Sequence, residues 1–563
     1  MGQTYSELYE TFAWHVPKGF NLANACCLQW SGLPGHERRA ALIHQAPSGS
    51  ARMTSFAELG EMSSQLANGL TRLGVIPGDR VVILLSQADD VMVALLACWA
   101  IRAVAVPLAP DLTADALLPK LKHARTQVAL IDAQTQTQAL VAIARCPRVK
   151  HVVGIDVYDG RVMSWRGLLA RQPNVYVPND TLPSDPALLL WPQTDLSDLS
   201  NGAALVMAHQ SLIGQLPGFV MAANWFPDGA NQLLTTFKPW EDIGLLAAIL
   251  PALYFGNTVV LADKVPTPSN LSRAVTHIVT RGDRLIDALR HEAANQQEPT
   301  SPKALKAISV IDPVLTSTWR ARATNAFGVE PNVATFVGGC GLVLAQCQDK
   351  WREPASSSGR LVPGHRVRLV NHEGEVIESG NEVGKLQVAR TDATGHTDPA
   401  QYIQAWPVKE TLDVKAVLPD WWDTGIYARH EAHDLWRVFG DTASWQTIES
   451  CTFSLWELEQ VLLAAADIDW AQIAVVPTRK TAAADWEIWA LVDVGSIVER
   501  QLKPWREAFR DTITQAVANL VPTTAESVRV RVGLVDHLAL SDADRQSRLP
   551  WQTRAYSALV DFL

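Results

Sequence analysis

The sequence predicts an α/β protein with a large N-terminal domain, built from mostly parallel sheets flanked by helices, and a small α+β C-terminal domain. The chain has 563 residues, well beyond the ~250 to 300 at which a single core stops growing. Through most of its length, short apolar runs alternate with segments of helix length, which is the pattern of α/β proteins. A smaller group of strand-like and helix-like segments follows from about residue 441.

The strand-length runs of the large domain are aliphatic and rich in β-branched residues. In chain order they read VVILL, VAVPL, VALID, HVVGI, ALLLW, TVVLA and AISVI. Nearly continuous apolar runs indicate strands that are buried on both faces, as in parallel sheets. Further on, RVRLVNHEGEVIESG predicts a hairpin whose strands are separated by His372, Glu373 and Gly374.

Residues 91–109 approach the length of a membrane span and contain a single charged residue, Arg102. The stretch divides into a helix-compatible half and the β-branched run VAVPL, and VVILL precedes it. We therefore expect a buried strand, helix, strand unit and no transmembrane segment.

We assign residues 1–440 to the large domain and residues 441–563 to the small one. The small domain contains, in order, a helix, two strands, a long helix and a strand, which read SLWELEQVLLAAA, AQIAVVP, WEIWALVDV, VERQLKPWREAFRDTITQAVANLV and SVRVRVGLV. This order predicts a compact α+β unit of ~120 residues.

Composition narrows the possible partners and the compartment. The net charge is -10 and no basic run occurs, so nucleic acid is not an expected partner. The seven cysteines show no CxxC pair and no regular spacing, so neither a zinc site nor a disulfide framework is predicted. A reducing, cytoplasmic environment is expected, and no secretory signal is apparent.

Several stretches along the chain share the framework of one enzyme family. They read TYSELYETFAWHVPKGFNLA, LGVIPGDRVVILL, VAVPLAPDLT, GQLPGF, LPALYFGNTVVLAD, VPGHRVRLV and EVGKLQVAR. They resemble the AMP-forming acyl-CoA synthetases, members of the adenylating superfamily that includes luciferases and peptide-synthetase adenylation domains. The resemblance implies a mobile C-terminal domain and two half-reactions. A carboxylate and ATP, with Mg²⁺, give an acyl-adenylate, and coenzyme A then displaces AMP.

The family's glycine-rich phosphate loop, typically TSGTTGxPK, is altered in this chain. Aligned back from PGF, Ala203 stands at the lysine position and Gly202 is the only glycine left. Asp195 and Asp198 add carboxylates where the triphosphate would lie. Two like charges ~4 Å apart repel by about 4 kcal/mol at an effective dielectric of about 20. ATP is therefore expected to be disfavoured, and an ordinary turn rich in Asp and Ser describes the stretch better.

The second motif, typically YGxTE, supplies a threonine for the phosphate and a glutamate for Mg²⁺. In the matching stretch NVATFVGGCGLVLAQC, Thr335 replaces the tyrosine, Gly338 the threonine and Gly339 the glutamate. Magnesium prefers oxygen ligands such as carboxylates, so its ligand is missing. Gly338 to Gly341 lack the spacing of a dinucleotide fingerprint and predict a tight turn.

The third motif, YxTGD, holds the ribose through its aspartate. Here Thr424 and Gly425 are followed by Ile426, which cannot accept hydrogen bonds from the ribose hydroxyls. In the next motif, VGRxDD, Asp441 stands at the arginine position and Ala443 at the hinge position.

The remaining motifs concern coenzyme A, the adenylation lysine and the acyl group. Ser450 stands at a glycine position of the coenzyme A tunnel. An ungapped match puts Arg545 at the lysine position, which keeps the charge without the lysine's compact geometry, and a register shifted by two puts Ser547 there. In the stretch that matches the family's acyl pocket, Lys238 and Trp240 stand where the family has other residues. The acyl specificity of the family therefore cannot be transferred to this chain.

Tryptophans are frequent near the predicted domain junction, at Trp421, Trp422, Trp436, Trp445 and Trp456. Core filling is the preferred explanation. The alternative is that some of them form an interface or fill the cleft that holds the nucleotide in the family.

Three functional hypotheses follow from the altered motifs. The first is a non-catalytic synthetase-like protein that binds an acyl or acyl-CoA ligand or a protein partner, such as an active synthetase, as a regulator or scaffold. The second is an enzyme that acts on acyl-CoA without ATP. The third is a residual acyl-CoA ligase or a structural subunit. Fold alone does not choose among them.

Overall fold

The structure is a computed structural model of the chain. It describes residues 4–45, 51–191, 204–227, 229–294, 304–311, 315, 317–378, 382–392, 394–406, 419–441, 445–448, 451–454, 473–479, 486–493, 511 and 528–535.

An eight-stranded sheet occupies the first part of the chain, with strands in the order β19-β9-β8-β4-β3-β5-β6-β7. Strands β3 to β8 are parallel to one another, whereas β9 pairs antiparallel with β8, and β19 pairs antiparallel with β9 at the edge. The strands are β3 Arg80–Leu84, β4 Val104–Pro107, β5 Val128–Asp132, β6 His151–Ile155, β7 Met163–Ser164, β8 Pro186–Leu190, β9 Ala204–Ala208 and β19 Gln404–Trp406.

A second, nine-stranded sheet has the order β16-β15-β14-β13-β12-β10-β11-β1-β2. Its six central strands, from β14 to β1 in this order, are parallel, and β2, β15 and β16 pair antiparallel at the edges. The strands are β1 Ala40–Gln45, β2 Ala51–Ser55, β10 Gln232–Thr235, β11 Thr258–Leu261, β12 His277–Thr280, β13 Ala307–Ile311, β14 Asn332–Val337, β15 Gly341–Ala345 and β16 Arg360–Leu361.

The remaining described strands form three smaller sheets. An antiparallel sheet of order β17-β18-β20-β21 precedes residue 442, β22 pairs with β23, and β24-β25-β26 is a mixed sheet. The strands are β17 Val367–Val370, β18 Gly384–Ala389, β20 Trp421–Glu431, β21 Leu435–Asp441, β22 Trp445–Ile448, β23 Cys451–Ser454, β24 Ile473–Arg479, β25 Trp486–Asp493 and β26 Val528–Val535.

Helices connect and cover the two large sheets. The α-helices are α1 Tyr5–Thr11, α2 Gln29–Ser31, α3 Phe56–Arg72, α4 Ala88–Ala100, α5 Ala114–Ala124, α6 Gln136–Ala144, α7 Trp165–Leu169, α8 Ser211–Ala222, α9 Asp242–Gly244, α10 Leu250–Tyr254, α11 Gly282–Ala294 and α12 Ser317–Phe327. Two π-helical turns occur at Asn24–Leu28 and Leu245–Ile249, and 3-10 turns at Pro268–Asn270 and Ala432–Asp434. Helix α3 begins with a capping box, in which Ser55 accepts from the Glu58 backbone and Glu58 accepts from the Ser55 backbone.

The largest buried cluster joins both large sheets through α3, α4 and α8. Helix α4 is buried along almost its whole length, and the indole of its Trp99 donates to the Ala187 carbonyl over 2.9 Å. Residues 91–109 therefore form most of α4 and all of β4, as the sequence predicts. Among the described residues, no helix has both the length and the apolarity needed to cross a membrane.

The predicted α/β class is confirmed, and so are the seven apolar strands of the large domain and the three described strands β24 to β26. The hairpin prediction is only partly right. Val370 does bridge Val376 across the turn, but the strand that pairs along the length of β17 is β18, which begins at Gly384. The two helices predicted after residue 454 lie outside the described residues, apart from the helical Asp511.

Candidate functional site

The candidate site lies at the carboxyl edge of the nine-stranded sheet, where the chain leaves parallel strands β10, β12, β13 and β14. Loops at this edge form the ligand-binding crevice of open α/β sheets. The stretch that matches the family's magnesium motif follows β14, and the stretch that matches its acyl pocket follows β10. The structure therefore places two of the altered motifs at one edge.

Gly338, Gly339 and Cys340 form the tight turn between β14 and β15, as predicted. Gly339 has a φ of +81°, which favours glycine. A Cβ atom at Gly339 would lie 2.9 Å from Cδ1 of Leu205 and 3.1 Å from Cδ1 of Tyr402. A longer side chain such as the family's glutamate would therefore require both neighbours to move.

Thr335 stands where the family has a tyrosine. Its side chain is buried, and its hydroxyl has no hydrogen-bond partner among the described residues. The hydroxyl is a small polar group that could serve a ligand, but the neighbouring turn is covered by packed side chains.

Tyr402 is a residue of this site that the sequence motifs did not indicate. Its ring packs edge-on against Trp422, with centroids 4.6 Å apart, and its backbone N–H donates to the Gly339 carbonyl over 2.9 Å. The Arg390 guanidinium lies 5.2 Å from the ring centroid and donates to the Tyr402 carbonyl. Burial is the main cause of a raised pKa for the Tyr402 phenol, which stays neutral. Tyr402 thus joins the Gly339 turn to β20.

The segment after Tyr402 also covers β9, the strand that follows the altered phosphate loop. The Ile403 N–H donates to the Val206 carbonyl, and β19 then pairs antiparallel with β9. The loop itself, with Gly202, Ala203, Asp195 and Asp198, lies outside the described residues.

A cation from another element does contact Trp191, the last described residue before that loop. Lys120 of α5 places its ammonium group 4.4 Å from the centroid of the Trp191 ring. Burial lowers the pKa of Lys120 to about 8. Sequence reasoning considered only cations within the loop and so missed Lys120, which lies 71 residues before Trp191 in the chain.

The ribose motif lies on β20 and β21. Thr424 is buried and its hydroxyl donates to the Leu386 carbonyl over 2.7 Å. Gly425 has a φ of +68°, and Ile426 pairs across the sheet with the exposed Asp441. The structure therefore brings Ile426 and Asp441 together. The nearby Asp423 carboxylate accepts from the Gly425 N–H and lies 3.5 Å from the Lys385 ammonium.

The segment after β10 places acidic groups at the same edge. Lys238 forms an ion pair with Asp263, with 2.6 Å between nitrogen and oxygen. Burial raises the pKa of Glu241, and it raises the pKa of Asp242 to about 6 against the opposing effect of backbone hydrogen bonds. The charges of Arg281 and Lys238 oppose the rise in the pKa of Glu241.

Side chains on both sides of residues 442–444 are in contact. The rings of Tyr427 and Trp445 lie 4.5 Å apart at 33°, and the Ser454 hydroxyl donates to the Phe439 carbonyl over 2.7 Å. These contacts tie β22 and β23 to β20 and β21. Ala443 and Ser450 lie outside the described residues.

The described tryptophans near the predicted junction have different surroundings, and Trp445 packs against Tyr427. Trp422 and Trp436 are buried, in agreement with core filling. Two guanidinium groups lie over the Trp421 ring. The guanidinium carbon of Arg366 is 5.1 Å from the ring centroid, and that of Arg368 is 4.2 Å from it. Trp456 lies outside the described residues, as does Arg545 at the family's lysine position.

The described residues do not supply the magnesium ligand that the resemblance implies. At the motif position of the magnesium ligand, Gly339 offers no carboxylate, and Tyr402 and Leu205 occupy the space beside it. Within the described part of the chain, no group of three or more His, Cys, Asp or Glu side chains is arranged to hold a metal ion.

Residues 32–191 match the AMP-binding enzyme family. An acetyl-coenzyme A synthetase of Coprinopsis cinerea is 23% identical over 346 residues, which cover 54% of this chain and 49% of that protein. One of Chromobacterium violaceum is 25% identical over 263 residues, or 43% of this chain and 39% of that protein. The chain thus spans about half or less of the length of these two relatives.

Solved structures show the same fold over nearly the whole chain. The anthranilate CoA ligase AuaEII in complex with anthranoyl-AMP has a TM-score of 0.77 at 17% identity, covering 97% of this chain and 99% of that one. A benzoate CoA ligase from Burkholderia xenovorans LB400 has a TM-score of 0.75 at 17% identity. The match covers 95% of this chain and 100% of that one.

The fold and the family match define the two-domain architecture of adenylating enzymes. Within that class, the resemblance predicted from the motifs is confirmed. The chain is similar to AMP-forming acyl-CoA synthetases in part of its sequence and in its fold.

Proposed function

We propose that this protein is a synthetase-like protein that does not adenylate carboxylates and acts by binding, as a regulator or scaffold. Its ligand would be an acyl or acyl-CoA group, and its partner could be an active synthetase. In this proposal residues 1–440 form the large domain and residues 441–563 the small one.

The packing of Tyr402 against the Gly339 turn carries the proposal. A magnesium-bound triphosphate needs an oxygen ligand and open space at this turn. Gly339 supplies no ligand, and the Tyr402 ring fixed between Gly339 and Trp422 takes up the space. Admitting the nucleotide would require removal of a buried aromatic contact from the core.

Two further features support the proposal that the protein does not adenylate carboxylates. Ile426 cannot accept hydrogen bonds from a ribose, and the carboxylate of Asp423 is bonded to the Gly425 backbone instead. Glu241 and Asp242 place acidic groups at the edge where the resemblance puts the acyl group.

The first prediction concerns catalysis. We expect no carboxylate-dependent exchange of pyrophosphate into ATP with acetate, a medium-chain acid or benzoate, because neither magnesium nor the triphosphate is held. Radiolabelled pyrophosphate exchange measures this, with an active acyl-CoA ligase assayed in parallel as the positive control. Robust exchange with any of the acids would refute the proposal.

A gain-of-function variant sharpens that assay. Ala203→Lys restores the loop lysine alone and should leave the exchange at background, because Gly339, Ile426 and Tyr402 are unchanged. Exchange regained by this single substitution would mean that the rest of the site is competent.

The second prediction concerns domain motion. The Tyr427 and Trp445 stack and the Ser454 hydrogen bond favour one orientation of the hairpin that follows residue 444. A ligand shifts such an equilibrium only through contacts that differ between the two states. We therefore expect small-angle scattering to be unchanged by ATP, AMP or coenzyme A.

A matched variant tests whether those contacts hold the orientation. Trp445→Ala should increase proteolytic cleavage near residues 438–450, whereas Trp225→Ala, at a partly exposed tryptophan elsewhere, should not. A ligand-dependent change in scattering of the unmodified protein would indicate that the chain still cycles between orientations.

A further inference from the structure

Two arginines and a tryptophan share one face of the antiparallel sheet β17-β18-β20-β21. Arg366 directly precedes β17, Arg368 lies on it, and Trp421 begins β20. Alternate residues of a strand project to the same face, so the two arginine side chains leave the strand on the same side. Ala389 of β18 lies between them and Trp421, since its N–H donates to the Arg366 carbonyl and it pairs with Trp421. Its small side chain lets the indole lie close to both arginines, and these three residues are called the arginine face below.

The two guanidinium groups of the arginine face retain most of their hydrogen-bond donors. Arg366 is exposed and Arg368 is partly buried. Within the described part of the chain, each donates one side-chain bond, Arg366 to the Thr391 hydroxyl over 3.3 Å and Arg368 to the Gln387 side-chain oxygen over 2.8 Å. A guanidinium has five N–H donors in its plane, and stacking on a ring does not use them. The remaining donors are available to an acceptor outside the sheet.

The positive charges of the arginine face have no countercharge among the described residues. Neither Arg366 nor Arg368 has a carboxylate oxygen within ion-pair distance there. Asp423 lies in the same cross-strand row as Arg368, but its carboxylate is 3.5 Å from the Lys385 ammonium. The exposed Asp420 precedes Trp421 in the chain and pairs with neither arginine. The ring stabilises the two cations in part, and their mutual repulsion remains.

An arginine in the same sheet shows that stacking and charge pairing are compatible. The Arg429 guanidinium carbon lies 5.1 Å from the centroid of the Phe439 ring, and its Nη2 atom is 2.6 Å from the Glu431 carboxylate. The whole chain has a net charge of -10, so unpaired cations are not imposed by a surplus of basic residues. The arginine face is therefore a local concentration of positive charge on an acidic protein.

The arginine face is separate from the candidate site. Trp422 follows Trp421 on β20 and projects to the opposite face of the sheet, where its ring packs against Tyr402. Tyr402 covers the Gly339 turn, so the arginine face points away from that turn.

We propose that the arginine face binds a dianionic phosphate group between Arg366 and Arg368. The fork of N–H donors on a guanidinium matches two phosphate oxygens, and two cations match the two charges of a phosphate monoester. A bound phosphate would also relieve the repulsion between the two guanidinium groups. A small phosphate ester and a phosphorylated side chain carry the same group. This proposal does not depend on whether the protein adenylates carboxylates.

Calorimetry with phenyl phosphate and phenyl sulfate at pH 7.5 tests the charge requirement on the full chain. Phenyl phosphate is mostly a dianion there, because the second pKa of a phosphate monoester is about 6, and phenyl sulfate is a monoanion. The phosphate should bind saturably and the sulfate at least about threefold more weakly. Sodium chloride at about 0.5 M should weaken phosphate binding, because exposed charges are screened. Absence of saturable phosphate binding, or equal affinities for the two esters, would overturn the proposal.

A parallel titration distinguishes the two sources of the phosphate group. A glycine pentapeptide with a central phosphoserine presents the group as a protein would. Tighter binding of this peptide than of phenyl phosphate would assign the site to a phosphorylated protein, and equal or weaker binding would assign it to small phosphate esters.

Variants place the binding on the arginine face. Arg366→Gln and Arg368→Gln should each weaken phenyl phosphate binding by about fivefold, because each removes a charged donor. Arg368→Lys keeps the charge without the fork and should lie between Arg368→Gln and the unmodified protein. Arg429→Gln is the matched control and should bind as the unmodified protein does. Circular dichroism verifies that each variant folds. Unchanged affinity in both glutamine variants would assign the binding elsewhere and refute the proposal, whatever the exchange assay gives.

Discussion

Replacing Asp398 by asparagine is expected to lower the free energy of unfolding by about 3 to 5 kcal/mol, the usual cost of breaking a buried ion pair. His365 and Asp398 are both fully buried, and Nδ1 of the histidine lies 2.6 Å from the carboxylate. They connect β17 and β15 to the segment that carries Tyr402. Loss of the pair should therefore weaken the support of the candidate site as well as the fold.

Hydrogen bonds hold both members of the pair in place. Nε2 of His365 lies 3.0 Å from the Leu342 carbonyl, which can only accept, so this nitrogen carries a proton. The Asp398 side chain accepts from the Ala400 backbone N–H and from the Gln401 amide. When Nδ1 also carries a proton, it donates to Asp398 and the imidazole is positively charged.

The pair makes stability depend on pH. Burial alone would lower the pKa of His365, but the Asp398 charge and the hydrogen bonds to Asp398 and Leu342 outweigh it, so the pKa is raised above its ordinary value of 6.5. The folded state thus holds a proton that the unfolded chain releases near pH 6.5. The stabilisation is full below that pH and is lost as the pH rises through the folded pKa.

Urea unfolding of the unmodified protein and of Asp398→Asn at pH 6, 7 and 8 measures both effects. Other buried groups titrate in this range, so the difference between the two proteins isolates the histidine. Asp115→Asn is the control, since Asp115 and Arg145 form an exposed ion pair with 2.8 Å between nitrogen and oxygen. Loss of this pair should lower the free energy of unfolding by at most ~1 kcal/mol. Equal losses in the two variants, with parallel pH profiles, would contradict the prediction.

The strands of the two large sheets could be read from the sequence because a strand buried on both faces is nearly continuously apolar. VVILL, VALID and AISVI carry this signal within a few residues, and each forms a strand. The same reasoning divided residues 91–109, which approach the length of a membrane span, into most of α4 and the strand β4, because β-branched residues fill the second half. These signals are local, so they need no knowledge of the tertiary structure.

The candidate site was only partly predictable. The motif positions show which side chains are replaced, and the turn at Gly339 follows from its glycines. What occupies the space beside Gly339 depends on Tyr402, 63 residues later in the chain, and on Trp422 beyond it. No periodicity or turn signal connects these residues. For the same reason, the full-length partner of β17 was missed, since β18 begins only after a longer connection than the turn at Gly374 suggests.

Gly214→Ala is expected to lower the free energy of unfolding by ~3 kcal/mol or more. This is at or above the largest loss usually seen when an extra carbon is forced into a packed core. Gly214 lies in α8, and a Cβ atom there would be 2.1 Å from the backbone nitrogen of Ala400 and 2.2 Å from its Cα atom. Backbone atoms cannot rotate away as a side chain can. Either α8 or the segment around Ala400 must therefore shift.

That segment has little freedom to shift. Asp398 is bonded to His365, the Gln401 amide donates to the Ala389 carbonyl, and the Tyr402 N–H donates to the Gly339 carbonyl. A shift would strain these bonds and move the Tyr402 ring from the Gly339 turn.

Gly167→Ala is the matched control for thermal and urea unfolding, because its Cβ atom would make only ordinary contacts with Ser164, at 3.5 Å or more. In helix α7 that change should be neutral or should stabilise by up to ~1 kcal/mol, since alanine loses less conformational freedom than glycine on folding. Gly214→Ala gains the same helical benefit, so a net loss must come from the contact with Ala400. If the two variants proved equally stable, α8 would not pack on the Tyr402 segment as closely as described, and the support for a closed Gly339 turn would be withdrawn.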